Sequence, residues 1–154
     1  MKKKWIITLL SAMFICTTGF VHADNHEKEV KTKDLPHGIQ QFINSHFSGT
    51  SITRACTSER GKHKIQLTNG YEVEFDHNGK WDEIDNELHA ALPSSVISLL
   101  PITAVNYMAQ NYPNQAIYSI DREDNGYEVK IPGTQIHELF FDRNGNLLRH
   151  EMED

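Results

Sequence analysis

Apolar and turn residues of this chain return at a fixed offset. Leu35-Pro36, Phe42, Ile43, Phe47 and Ile52 recur 65 positions later as Leu100-Pro101, Tyr107, Met108, Tyr112 and Ile117. One inserted residue moves the match to 66, where Ile65, Glu72, Val73, Phe75, Asp76, Asn78 and Gly79 meet Ile131, Glu138, Leu139, Phe141, Asp142, Asn144 and Gly145. A segment written twice must bury the same side chains twice, so the expected architecture is α+β, with two tandem repeats. What recurs is core and turn chemistry, without a nucleophile, a base or a metal-ligand cluster.

Residues 1–23 read as an export signal. Lys2, Lys3 and Lys4 form a cationic start, Trp5 to Cys16 an apolar run, and Val21-His22-Ala23 a cleavage site before Asp24. Thr8, Ser11, Thr17, Thr18 and Gly19 interrupt that run, leaving less than the ~20 apolar residues of a membrane span. The expected location is periplasmic or secreted, with no membrane insertion after cleavage. Removing the signal takes three of 15 basic residues and none of 21 acidic ones, moving the formal charge from -6 to -9. That charge disfavours nucleic acid and anionic membranes, which reward clustered Lys and Arg. Cys16 leaves with the signal, so Cys56 is expected to stand alone, most simply as a small buried apolar residue.

Residues 24–33 (DNHEKEVKTK) lack apolar periodicity and read as a disordered leader. The first repeat is then 34–91 and the second 92–154. Asp34 is placed to cap a helix in which Ile39, Phe42, Ile43 and Phe47 form one apolar stripe. Ala104, Tyr107, Met108 and Tyr112 repeat the stripe, and Leu92 to Pro101 suggests an extra helical turn or two between repeats. About four antiparallel strands follow each helix. Tyr71, Val73 and Phe75 alternate with Glu72, Glu74 and Asp76, and Asp76-His77-Asn78-Gly79 supplies a hairpin turn. Asp142-Arg143-Asn144-Gly145 repeats that turn, so each repeat is a helix packed on a meander.

The Leu-Pro opening, the helix with paired aromatics, the stretch from Asn69 to Trp81 and the Phe141 to Gly145 turn resemble the PepSY-like periplasmic proteins found in Bacteroidetes. The resemblance spans roughly Leu35 to Glu151 and implies a fold similar to β-lactamase inhibitor proteins. It also implies a secreted, non-catalytic domain, for which inhibition or regulation of another protein is suggested by fold analogy alone.

Three kinds of function compete. A binding module is suggested by an asymmetry: Gly70, Glu72, Glu74 and Asp82 of the first repeat correspond to Ile136, Glu138, Phe140 and Leu148 of the second. The candidate contact residues are Phe140, Leu148, Ile136, Trp81 and Tyr118, on a monomer facing an unidentified protein partner. Calcium binding is the alternative, through the oxygen donors Asp76, Asn78, Asp82, Glu83 and Asp85. Their spacing is not that of an EF-hand, since Gly79 comes too early. Catalysis is disfavoured: no nucleophile elbow, paired metal-binding histidines or phosphate loop is present. The histidines, including His137 and His150, show no ligand spacing, and Glu72 and Glu74 are expected on a solvated face where nothing raises a carboxyl pKa.

Overall fold

The computed structural model describes residues 27–153, so the expected signal 1–23 lies outside the described residues. Two ten-residue helices, α1 (His37–His46) and α3 (Ile102–Asn111), each start behind a proline, Pro36 and Pro101. Proline has no N–H to leave unbonded at a helix start. The expected cap, Asp34, does not serve: it ends a 3-10 turn, Thr32–Asp34, and neither helix takes a side-chain cap. α1 buries Ile39 and Ile43, and α3 buries Ala104 and Met108. Between the halves lies the expected extra turn, α2 (Ser94–Ile97), which buries Val96.

The strands are β1 (Lys28–Glu29), β2 (Ile52–Thr57), β3 (His63–Leu67), β4 (Tyr71–Phe75), β5 (Trp81–Asn86), β6 (Ser119–Glu123), β7 (Gly126–Ile131), β8 (Ile136–Asp142) and β9 (Leu147–Glu153). Rather than two separate meanders, they form one nine-stranded antiparallel sheet in sequence order. The join is β5 against β6, where Ile84 lies opposite Ile120 and both are fully buried. Ile65, Val73, Ile84, Ile120, Val129 and Leu139 therefore run across six strands as one apolar band under the helices. Each such side chain contributes about 1.5–3 kcal/mol on burial.

The two long hairpins close alike. The Asp76 N–H donates to Lys80 O at 2.8 Å and Gly79 takes φ +76°, while Asp142 donates to Asn146 O at 2.9 Å and Gly145 takes φ +85°. Each turn is braced by its own aspartate, whose Oδ1 accepts from the amides two and four residues on. The glycines are needed because other residues rarely adopt that left-handed conformation.

Two expectations are corrected. Part of the supposed disordered leader is ordered, because Lys28 and Glu29 pair with Thr57 and Cys56 as an edge strand. Backbone pairing of that kind needs no apolar periodicity, which is why the sequence pattern missed it. Cys56 is not a lone thiol but disulfide-bonded, and its partner lies outside the described residues.

Candidate functional site

Alternation along the strands puts every second residue on the sheet face turned away from α1 and α3. Register aligns Lys64, Glu74, Glu83, Asp121 and Glu128 in a single row across β3 to β7. A parallel row holds Gln66, Glu72, Asp85, Ser119, Lys130 and Glu138. Four carboxylates thus stand directly opposite one another on consecutive strands, an arrangement that destabilises a sheet when all are charged.

The two lysines compensate only the flanks. Lys64 pairs with Glu72 and lies 3.4 Å from Glu74, while Lys130 lies 3.4 Å from Glu128 and 3.6 Å from Glu138. Burial works against the charge on Lys130, yet Glu128, Asp121 and Glu138 hold it protonated above its ordinary range. The central pair, Glu83 and Asp121, has no lysine directly opposite. Burial, and then the Glu83 charge, push Asp121 up to about 9. The same two causes raise Glu74 to about 7, and burial followed by Glu72 raises Asp85 to about 7. The expectation that nothing on this face lifts a carboxyl pKa is therefore overturned. It took each strand alone, whereas the shift comes from neighbours brought alongside by pairing.

The five expected calcium ligands are not gathered. Asp76 is committed: its Oδ1 braces its own turn and its Oδ2 accepts from Arg122 Nη2 at 2.8 Å. Those contacts outweigh the opposing desolvation and hold the Asp76 carboxyl below its usual range. Asp82 pairs with Lys62 at 3.0 Å and faces Arg122 at 3.7 Å. Arg122 also donates from Nε to Trp81 O at 2.7 Å, tying two hairpins together beside a pocket of about 490 Å³. Asn78 is exposed in the turn, while Glu83 and Asp85 lie on the helix-free face. The register shift between Glu74 and Phe75 brings Trp81 opposite Phe75 and leaves Asp82 out of the outward row. Among the described residues no three His, Cys, Asp or Glu side chains form a metal-holding group.

The expected contact residues also separate. Phe140 and Ile136 do lie on the helix-free face, with the Arg149 guanidinium 3.8 Å over the Phe140 ring. Leu148 does not join them. A register shift between Phe140 and Phe141 turns it to the other side of β9, where it is 66% exposed. Trp81 stacks on Tyr127 at 6.2 Å and packs against the core, and Tyr118 is buried beside His89.

Sequence reasoning missed Asn86 and the histidine pair. Asn86 is fully buried: its Nδ2 donates to Asn69 O, and its Oδ1 accepts from the Leu88 and Ala90 amides. His137 and His150 meet at 2.9 Å between Nδ1 and Nε2. Nothing in the spacing of 13 residues shows that contact, which the β8–β9 register creates.

Two helices on one face of a continuous antiparallel sheet, with a charged second face, define a helix-on-sheet α+β domain. The chain belongs to the PepSY-like family: the model described as "Putative beta-lactamase-inhibitor-like, PepSY-like" matches residues 61–149. It is similar to a "putative calcium-regulated periplasmic protein" from Bacteroides thetaiotaomicron, with 30% identity, TM-score 0.70, and 81% of this chain and 96% of that one covered. A "putative periplasmic protein" from Bacteroides vulgatus shares 30% identity at TM-score 0.71, covering 84% and 99% of the two chains. A second protein of that species, described as of unknown function, shares 28% at TM-score 0.69, with 81% and 98% covered. Among curated proteins there is no match.

Proposed function

We propose that this chain is an exported, non-catalytic binding module that inhibits or regulates another periplasmic protein through its helix-free sheet face. The observation that carries the reading is the row Glu74, Glu83, Asp121 and Glu128, four carboxylates opposed across consecutive strands. Burial and crowding keep part of this row protonated, and a cation set among the four would displace those protons and pair with the carboxylates left behind, so the surface fits a partner presenting Lys or Arg. A periplasmic location is supported by the descriptions of the relatives and by the signal-like start. The helix followed by four strands, in both halves, supports descent from one duplicated unit.

A lysine-rich peptide serves as probe. The double variant Glu83→Gln/Asp121→Asn is expected to weaken its binding at least about tenfold, a loss of about 1.4 kcal/mol. The exposed pair Glu59→Gln/Glu87→Gln, which removes the same formal charge elsewhere, is expected to leave binding within about twofold. Equal losses in the two double variants would show mere net-charge attraction and defeat the reading.

Calcium is the second reading, favoured by the description of the Bacteroides thetaiotaomicron relative. Of the five hairpin residues, Glu83 and Asp85 lie on the helix-free face beside their cross-strand neighbours Asp121 and Glu72, and a calcium ion there would have to draw these side chains together. Asp76 and Asp82 are already engaged by Arg122. Calcium at about 100 times its dissociation constant would stabilise the fold by about 2.7 kcal/mol. Superimposed melting curves with calcium and with a chelator would remove tight binding from consideration.

A further inference from the structure

We propose that His137 Nδ1, His150 Nε2 and the Met152 thioether form a copper(I) site at the outer edge of the sheet. The two nitrogens are 2.9 Å apart, and the rings are stacked with centroids 5.1 Å apart and planes 15° from parallel. Two imidazoles on one tetrahedral ion, each bonded at about 2.0–2.1 Å, have their nitrogens separated by about 3.4 Å. The nitrogens, now hydrogen-bonded to each other, need part by only about half an ångström to exchange that bond for bonds to a shared ion. Met152 is opposite His137 in the β8–β9 register and two residues beyond His150 on the same strand, which places all three on one face.

The pair is positioned by its surroundings. The Tyr112 ring, at the end of α3, meets His137 and His150 edge-on at 6.0 and 6.2 Å. Gly133 backs His137: a Cβ there would lie 3.3 Å from both Nε2 and Cδ2. That side of the ring is held against backbone, and Nδ1 is the atom presented to His150. Met152 is 60% exposed, so the third donor is open to an arriving ion.

Donor chemistry selects the metal. Two imidazoles and a thioether offer no carboxylate oxygen, which calcium and magnesium demand, and a thioether favours the soft copper(I) ion. Glu151 and Glu153 alternate to the other face of β9, opposite Glu138 and Ile136. The site is thus separate, in place and in chemistry, from the carboxylate row.

The purified protein would be titrated with copper(I), without oxygen, against a coloured copper(I) chelator. The expected result is one copper per chain. Loss of even an outer partner of a metal ligand costs about 10–100-fold in affinity, so His137→Gln and His150→Gln should each cost at least about 100-fold. Met152→Leu should cost about tenfold for copper(I) and leave zinc(II) binding unchanged. Unchanged copper affinity in both histidine variants, or failure of the unsubstituted protein to compete, would overturn the proposal. A second measurement does not depend on variants folding: the imidazole C–H signals of His137 and His150 should shift together at one equivalent of copper(I). Their staying fixed while copper binds would place the ion elsewhere and overturn it equally.

Discussion

Replacing Asp85 by asparagine should stabilise this protein, and by an amount that grows with pH. Burial and the Glu72 charge raise the folded-state carboxyl from 3.8 to about 7. The unfolded chain releases this proton near pH 4, whereas the folded chain keeps it until about pH 7. Raising the pH between those values therefore draws the equilibrium toward the unfolded state, with no penalty below the unfolded pKa and the full penalty above the folded one. At 1.36 kcal/mol per tenfold change in proton affinity, the ceiling is about 4 kcal/mol. Water and relaxation around a partly covered group reduce it to about 2 kcal/mol. Asparagine keeps the shape and removes the charge. For a domain of this size the midpoint at pH 8 should rise by about 5–10 °C, and the gain should shrink to about 1 °C at pH 4. Parallel melts of the two proteins from pH 4 to 8 decide it. An equal gain at both ends, or a loss at pH 8, would refute the claim that crowded carboxyls burden this face.

Three further outcomes follow from the packing. Asn86→Ala leaves two backbone amides and the Asn69 carbonyl without their partner in a fully buried place, and chemical denaturation should show a loss of about 2–4 kcal/mol. Arg122→Met keeps the side-chain bulk but removes the bonds to Trp81 O and Asp76, and should cost about 1–3 kcal/mol, with added salt narrowing the difference from the parent protein. Gly126→Ala would place a Cβ 1.8 Å from the Phe141 carbonyl oxygen, forcing β7 and β8 apart; a loss of at least about 2 kcal/mol is expected in the same denaturation assay, with faster amide exchange in those two strands.

How much was legible varied with the range of the interaction. The apolar stripe of Ile39, Ile43 and Phe47, the alternation of Tyr71, Val73 and Phe75, and both Asn-Gly turns are local patterns, and they located the helices, strands and hairpins to within a few residues. Leu148 was misplaced because parity counted from Phe140 assumes an unbroken ladder, and a single register shift reverses every later side chain. The hairpin carboxylates are dispersed for a different reason: Asp76 and Asp82 are near in sequence to Asp85 but are engaged by Arg122, which lies on another hairpin.

The sequence alone determined the order and kind of elements, because amphipathic periodicity and turn chemistry act over a few residues and need no partner. It also determined the acidic balance and the family resemblance. Tertiary structure decided that the strands form one continuous sheet, that Glu83 faces Asp121 and that His137 meets His150. Those pairings depend on cross-strand register, which links residues 38 and 13 positions apart and exists only once the strands are laid side by side.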